Sequence, residues 1–238
     1  MTDSSRISLF AVIAAALLAL ALAFMAISIK TGLLQFRDAD KVVSVKGLAE
    51  REVQADLALW PINFSVMGNS LDVLQADIEA QQDLIRSYLL LKGFADRDLQ
   101  LSMPKITDQH ANLYGSNMPP ERYRAEVTVL VRTADIQRVK SGMQSVGELV
   151  KSGVALTQSY EHQPQFLFTR LNDIKPEMIA EATREARAAA GQFARDAGAE
   201  VGSIRRASQG YFSIDDVDKY TPETKKVRVV TRVDYILR

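Results

Sequence analysis

One stretch of the chain, residues 177–198, reads EMIAEATREARAAAGQFARDAG, and its pattern predicts one long helix. Alanine has the highest intrinsic helix propensity, and residues four apart lie on one face of a helix. Alanine recurs at that spacing at Ala182, Ala186, Ala190 and Ala194. Pro176 suits the first turn of a helix and Gly198 suits its end, so we predict a helix over residues 176–197.

Three interpretations of this alanine strip compete: close packing inside the domain, a helix contact between subunits, and a site where a small molecule docks. Alanine buries little apolar surface, so the strip is favourable only where the backbone must approach a partner closely. We therefore expect this helix to lie low on its own sheet. The residues that we place on its packed side are Ile179, Ala182, Ala186, Ala189 or Ala190, Phe193 and Ala197.

Outward from this helix, apolar periodicity predicts the other elements. Alternating apolar residues predict strands over residues 41–47, 56–68, 100–109, 124–133, 165–170, 201–214 and 226–237. A 3.6-residue period predicts helices from Asn69 or Ser70 to Gly93, and over 134–150. Pro61 marks a kink or an edge position in its strand, since proline lacks the ladder donor. We expect turns or loops over 47–56, 110–123 and 215–226.

The order of these elements indicates the fold class. It is roughly ββ-α-ββ-α-ββ-α-ββ, which repeats a strand-strand-helix unit. We predict an α+β fold of repeated ββα units, with mixed, mostly antiparallel sheets and helices packed on one face. In addition, we expect one N-terminal transmembrane helix.

The N-terminal segment carries the strongest single signal. Residues 7–29 are apolar except for Ser8 and Ser28, and about 20 apolar residues suffice to cross a bilayer as a helix. The alternative is a cleaved signal peptide, because Ala19-Leu20-Ala21 and Ala21-Leu22-Ala23 fit the cleavage pattern. The apolar run continues past both of these sites, so we favour an uncleaved anchor. Charge does not set its orientation, since basic residues flank both ends.

This interpretation divides the chain into three parts. Residues 1–30 form the transmembrane anchor or signal peptide, residues 31–40 a polar juxtamembrane tether, and residues 41–238 an α+β domain. The composition limits what the domain does. The chain has 29 basic and 29 acidic residues, a balance that argues against a nucleic-acid partner, and it has no cysteine, which excludes disulfides and cysteine nucleophiles.

The search for chemistry leads us to assign no catalytic residue, no cofactor site and no metal site. Asp108 and His110 form a D-x-H pair, but a metal site needs three or four ligands. We expect His110 and His162 to be loop histidines exposed to water, and Trp60 to pack in the core. The acidic run at residues 215–218 lacks the glycine and the distal glutamate of a calcium loop, so we expect a solvated loop.

The order of several short motifs resembles the SIMPL-domain family of bacterial envelope proteins. The matching stretches are Val45-Lys46-Gly47, residues 53–58 (VQADLA), Tyr123-Arg124-Ala125, and residues 198–202 (GAEVG) after the alanine helix. The resemblance covers about residues 41–237. Three positions depart from the family pattern, namely Ala49, Ala55 and Arg122 in place of glycine, proline and glycine.

The resemblance implies a periplasmic or outer-surface setting with no established catalytic residues. Some members of the family resemble ring- or barrel-like homo-oligomers, and some are associated with oxidative-stress tolerance or immunogenicity. The family pattern is structural, so no functional residue transfers to this chain.

Our leading hypothesis is a non-enzymatic envelope protein that spans the bacterial inner membrane once, through residues 7–29. Its domain at 41–238 would lie in the periplasm and self-assemble into a homo-oligomeric ring or cage, with a role in envelope stress tolerance. The first alternative is a binding module that holds a small ligand or peptide in a cleft between two ββα lobes. The second is a hydrolase with a dispersed site, for which Asp108 and His110 are the first residues to mutate.

Overall fold

A computed structural model describes residues 18, 20–30, 41–111, 118–158 and 162–238 of the 238-residue chain. The strands that it describes are β1 (Val42–Gln54), β2 (Leu57–Gly68), β3 (Leu99–Leu101), β4 (Lys105–Asp108), β5 (Tyr123–Thr133), β6 (Gln165–Leu167), β7 (Val201–Gln209), β8 (Ser213–Asp216) and β9 (Thr224–Leu237). The helices of the domain are α1 (Leu71–Leu91), α2 (Ile136–Ser145), α3 (Gly147–Lys151) and α4 (Leu171–Asp196). A 3-10 turn covers Asp96–Asp98.

The strands form two sheets. One has the order β1-β9-β7 with β8 also paired to β9, and the other has the order β3-β5-β2-β6 with β4 also paired to β5. The longest pairing is antiparallel and joins β2 to β5 from Ala58↔Thr133 to Gly68↔Tyr123. The α+β class and the antiparallel pairing are confirmed. The repeated ββα unit is not, because the chain order is ββα-βββ-αα-β-α-βββ.

The chain divides into two compact units, each with its own buried cluster. Unit 1 comprises the described residues up to Ala49 together with Pro176–Phe212 and Arg228–Arg238. Unit 2 comprises Glu50–Lys175 and Ser213–Val227. The strands β1 and β9 and the helix α4 each contribute residues to both units.

In unit 2, α1 packs on the sheet made by β2 and β5. The alternation predicted for β5 is confirmed, since Ala125, Val127, Val129 and Val131 are all buried. Ser70 is the N-cap residue of α1, and Gly93 lies just beyond its end with a φ of 86°, which favours glycine. The buried residues of this helix are Leu74, Ile78, Ile85, Tyr88 and Leu89.

In unit 1, the alanine strip of α4 lies against β1. The four alanines are at most 1% exposed. A Cβ atom added to Gly47 of β1 would lie 1.7 Å from the carbonyl oxygen of Ala182, which shows how closely the two backbones approach. Close packing inside the domain is therefore confirmed, and these alanines are too deeply buried for a subunit or ligand contact. The assignment of Phe193 and Ala197 to this face is wrong, since Phe193 is 59% exposed and Ala197 is also exposed, while Ala194 is buried.

Three predicted strands differ from those observed. The turn predicted over residues 47–56 is wrong, because β1 continues to Gln54. The second half of β1 carries charged residues, so the alternation of apolar and polar residues that predicts a strand is hard to see there, although Ala49 is buried. The single strand predicted over 100–109 is two short strands, β3 and β4, interrupted around Pro104, which lacks the ladder donor. Likewise, the strand predicted over 201–214 is β7 and β8, separated at Gly210.

Two predicted helices also have different bounds. The helix over 134–150 is broken at Val146 into α2 and α3, where Gly147 weakens helical structure. The helix predicted from Pro176 begins earlier, at Leu171, so that Pro176 lies inside α4 instead of in its first turn. Gly198 does follow the end of α4 with a φ of 64°, as the sequence predicts.

The N-terminal prediction falls largely outside the described residues, which exclude residues 1–17, 19 and 31–40. Residues 20–30 are helical, and every large apolar side chain in this stretch is between 52% and 73% exposed. Among the residues that the structure describes, none of the helices combines the length and the apolar character that a membrane span requires.

Candidate functional site

The D-x-H pair is engaged in local structure. Asp108, at the end of β4, accepts hydrogen bonds from the Arg122 guanidinium at 2.9 Å and from the backbone N–H of His110 at 3.0 Å. The hydrogen bond from Arg122 is the main reason why the pKa of Asp108 lies below its ordinary value. Nε2 of His110 lies 2.9 Å from the carbonyl oxygen of Pro119. The pair thus closes the base of the loop between β4 and β5.

The prediction that His110 and His162 are exposed to water is wrong, because both side chains are half-buried. No group of three or more histidine, aspartate or glutamate side chains in the described part of the chain is arranged to hold a metal ion. The acidic run at residues 215–218 makes hydrogen bonds within the hairpin that joins β8 to β9. Asp218 accepts hydrogen bonds from the backbone N–H groups of Tyr220 and Thr221 and from the Thr221 hydroxyl. The Thr221 hydrogen bond is the largest cause of the lowered pKa of Asp218.

A cavity of unit 2 lies beside residues 60–63 of β2. The strand β6 pairs only with Leu57–Leu59 of β2. Further along, the carbonyl of Asn63 accepts from Thr157 and the N–H of Ser65 donates to Ala155. In this part of β2, odd-numbered residues therefore point their backbone groups to the β6 side. Pro61 lies between these two stretches, and on the β5 side it is paired with Leu130. The strand β2 lies inside its sheet in the order β3-β5-β2-β6, which differs from a strand at the edge.

This cavity has a volume of about 460 Å³. One wall is apolar and includes Trp60, Ile62, Met143 and Val146. Trp60 is 4% exposed, which confirms its predicted core position, and its ring also packs against the backbone of Gly142. The polar wall includes Asn63, Thr157, Gln158, His162 and Gln163. None of the described residues that line the cavity carries a charged side chain.

A polar pair, Asn63 and His162, lies in the wall of the cavity. Asn63 is 6% exposed, and its Nδ2 lies 3.0 Å from Nε2 of His162 and 3.3 Å from the hydroxyl of Thr128. With the Asn63 amide in the orientation of this structure, its nitrogen donates and Nε2 accepts. Asn63 Oδ1 and His162 Nδ1 are buried and have no hydrogen-bond partner among the described residues. Both atoms are enclosed by the protein and are not presented to the cavity.

Sequence reasoning missed this site. The available signal was Asn63, a polar residue between apolar neighbours in a strand, where a buried amide needs partners. The partner His162 is 99 residues further along the chain, and periodicity cannot pair residues at that separation. The cavity lies wholly within unit 2, which differs from the predicted cleft between two lobes.

A second surface of interest is β7 in unit 1. Seven consecutive residues, from Ser203 to Gln209, are exposed, so neither face of this strand is covered. One edge of β7 pairs with β9, and β7 stands at the end of its sheet among the described strands. Register shifts interrupt the pairing up to Arg206, and the ladder is regular from Arg206 to Gln209. The stretch 206–209 is therefore a short, regular, uncovered strand edge.

The sequence was also compared with models of known protein families. The family model of SIMPL, described as a protein of unknown function (DUF541), matches residues 43–235. The chain therefore belongs to the SIMPL family. No curated protein matches the chain significantly.

Proposed function

We propose that this chain is a non-enzymatic protein of the bacterial inner membrane, anchored once through residues 7–29. Its domain at 41–238 lies in the periplasm and self-assembles into a homo-oligomeric ring or cage, with a role in envelope stress tolerance. The observation that carries the proposal is the uncovered edge strand β7. The role in stress tolerance rests on the family resemblance alone.

The anchor is supported by the exposed apolar helix at residues 20–30. Its large side chains, from Leu20 to Ile29, are all more than half exposed. Exposed apolar surface in water costs roughly 25 cal/mol per Å², so a helix that is apolar all round is stable only in an apolar environment. The sequence continues this apolar character back to Ile7.

Self-assembly is supported by the direction of the backbone groups of β7. The N–H of Gly210 donates to the carbonyl of Val230 in β9. By alternation, Ser208 and Arg206 also point to β9, whereas Ala207 and Gln209 point their N–H and C=O groups to the free edge. An exposed edge of this kind accepts a strand from a second chain. Anchoring in a membrane also raises the local concentration of that second chain.

The non-enzymatic part of the proposal is supported by the engagement of the best candidate residues. Asp108 is paired with Arg122, and His110 contacts the carbonyl of Pro119. A hydrolase that used these two side chains would first have to break both contacts.

Substitutions at Ala207 test the proposal in native membranes. Ala207→Pro removes a donor from the free edge and keeps the ladder with β9, whereas Ala207→Val keeps the donor and is the matched control. We expect chemical crosslinking of the wild-type and Ala207→Val proteins to trap oligomers, and Ala207→Pro to remain monomeric. Crosslinking of all three proteins to the same extent would contradict assembly through β7, and extraction of the wild type by alkaline carbonate would contradict the anchor.

A further inference from the structure

We infer that a pocket on the sheet of unit 1 binds an aminoalkyl phosphate monoester, a small molecule that carries one phosphate group and one ammonium group. This inference goes beyond the proposed function, because the pocket lies on a face of the sheet, whereas assembly uses the free edge of β7. It rests on two guanidinium groups and one carboxylate that line the same pocket.

The pocket has a volume of about 220 Å³, and its described lining residues all belong to unit 1. These residues are Ser44 of β1, Arg232 and Asp234 of β9, and Arg206 and Ser208 of β7. Along β1 and β9 they alternate with buried residues that pack in one cluster with alanines of α4, namely Val45, Val233 and Tyr235. Because successive side chains of a strand point to opposite faces, the pocket opens on the face away from α4.

The strand pairing brings the charged groups of the pocket together. The strand β9 lies between β1 and β7, with Arg206 opposite Asp234 and Ser208 opposite Arg232. The two arginines are therefore diagonal neighbours, which lie about 7–8 Å apart in an antiparallel pair. Both side chains are exposed and long, so both guanidinium groups can reach one anion in the pocket.

The carboxylate of Asp234 does not neutralise the arginine opposite it. Its Oδ1 accepts a hydrogen bond from the hydroxyl of Ser44, on the other side of β9. Within the described part of the chain, neither Arg206 nor Arg232 makes an ion pair with Asp234. The pocket thus keeps two cationic groups and one anionic group side by side without pairing them.

The two arginines select a phosphate group. Guanidinium groups bind phosphates and carboxylates through paired N–H donors. A phosphate monoester carries a charge of about −1.5 to −2 at pH 7 and three acceptor oxygens, so it can accept from both guanidinium groups at once. A carboxylate carries one charge and two oxygens, which a single guanidinium already occupies in a paired contact.

Asp234 selects the second group of the ligand. A carboxylate beside a bound phosphate repels it, unless a cation lies close to both. An ammonium group a few bonds from the phosphate supplies that cation within the same molecule. The pocket is smaller than the roughly 300–1,000 Å³ of sites for drug-sized ligands, so a short alkyl chain between the two groups fits it best.

Phosphoethanolamine is the probe, and its own phosphorus NMR signal provides the readout. The full-length protein is held in a non-ionic detergent that contains no phosphate, and the broadening of the signal is followed in a titration. We expect saturation with a dissociation constant on the order of 1 mM for so small a molecule. Ethyl phosphate is similar in size but lacks the ammonium group. It should bind about fivefold more weakly, because one exposed ion pair is lost.

Glycerophosphoethanolamine distinguishes a free ligand from a lipid headgroup. Its phosphate is a diester with one negative charge, as in a phospholipid, and it carries a bulkier substituent. We expect it to bind at least about threefold more weakly than phosphoethanolamine, because it offers less charge to the two arginines. Equal or tighter binding of the diester would overturn the assignment of a free monoester.

Three variants locate the binding. Arg206→Gln combined with Arg232→Gln should weaken the binding of phosphoethanolamine at least about tenfold, since hydrogen bonds to a charged group are lost. Arg184→Gln combined with Arg187→Gln removes the same charge from exposed positions of α4 and should change it less than about twofold. Asp234→Asn should make phosphoethanolamine and ethyl phosphate bind equally. Circular dichroism of each variant confirms that it is folded.

The outcomes separate this inference from the proposed function. Equal binding of phosphoethanolamine and ethyl phosphate to the wild type, undiminished binding to Arg206→Gln/Arg232→Gln, or no saturable broadening would each overturn the inference. The same double variant keeps the backbone groups of Ala207 and Gln209 at the free edge, so it should crosslink as the wild type does. If crosslinking fails and phosphoethanolamine binds, only the proposed function is wrong.

Discussion

At the scale of single residues, the backbone of β1 passes so close to α4 at Gly47 that no side chain fits between them. A Cβ atom at this position would meet the carbonyl oxygen of Ala182 at 1.7 Å and the backbone nitrogen of Ala186 at 2.5 Å. Both obstacles are backbone atoms, which cannot rotate away as the end of a flexible side chain can. Either the helix or the strand would have to move.

Gly47→Ala should therefore lower the free energy of unfolding by at least about 1–3 kcal/mol, the usual cost of overpacking. Gly191→Ala is the matched control, because Gly191 lies inside α4 and the nearest atom to its added Cβ is the end of the Arg195 side chain at 3.5 Å. It should stabilise the protein by about 0.5–1 kcal/mol. Urea unfolding measures both changes, and equal effects of the two substitutions would contradict the close approach.

A second residue-scale feature is the ion pair between Lys140 and Glu223 in unit 2. The hydrogen bond from Lys140 is the largest cause of the lowered pKa of Glu223. A carboxyl whose pKa is lower in the folded state stabilises the fold at pH values above its unfolded pKa. That contribution is lost as the pH falls through the folded pKa.

Glu223→Gln should accordingly lower the free energy of unfolding at neutral pH by about 0.2–1 kcal/mol. The difference from the wild type should vanish in acid, below the lowered pKa of Glu223. Urea unfolding at neutral pH and in acid, at one protein concentration, checks both statements. Glu200→Gln makes the same chemical change at an exposed position and is the control for the substitution itself. If the wild type and Glu223→Gln differ in unfolding free energy as much in acid as at neutral pH, the ion pair between Lys140 and Glu223 is not the cause of the difference.

At the scale of elements, the sequence predicts an element best where one periodicity runs unbroken. The strand β5 and the helix α1 were predicted to within about a residue or two, since their inward positions are all apolar. The second half of β1 was missed, because charged side chains alternate with few apolar ones there. The start of α4 was missed because Pro176 resembles a first-turn residue, although the helix already begins at Leu171.

The packed face of α4 gives a prediction at this scale. Ala186→Leu adds a large side chain where α4 touches β1 and should cost about 1–3 kcal/mol of unfolding free energy. Phe193→Leu changes an exposed position of the same helix and should shift the free energy of unfolding by less than about 0.5 kcal/mol. Thermal and urea unfolding of the two variants compare them directly. A larger loss for Phe193→Leu than for Ala186→Leu would mean that the face has been assigned wrongly.

At the scale of the whole molecule, the sequence predicted the family and the α+β class but not the cavity. The family rests on the order of short motifs, which a single chain displays directly, and the match over residues 43–235 confirms it. The cavity depends on where β6 ends and on which residues meet across β2. Asn63 and His162 come together only through that tertiary arrangement. No local pattern in the sequence specifies it.

The central claim is that the domain works by assembly through β7, and the mass of the full-length particle tests it most directly. Light scattering of the detergent-solubilised protein, with the bound detergent subtracted, gives that mass over a wide range of concentrations. We expect a defined multiple of the 26.4 kDa chain for the wild type and a single chain for Ala207→Pro. A wild-type mass of one chain at every concentration would contradict the claim.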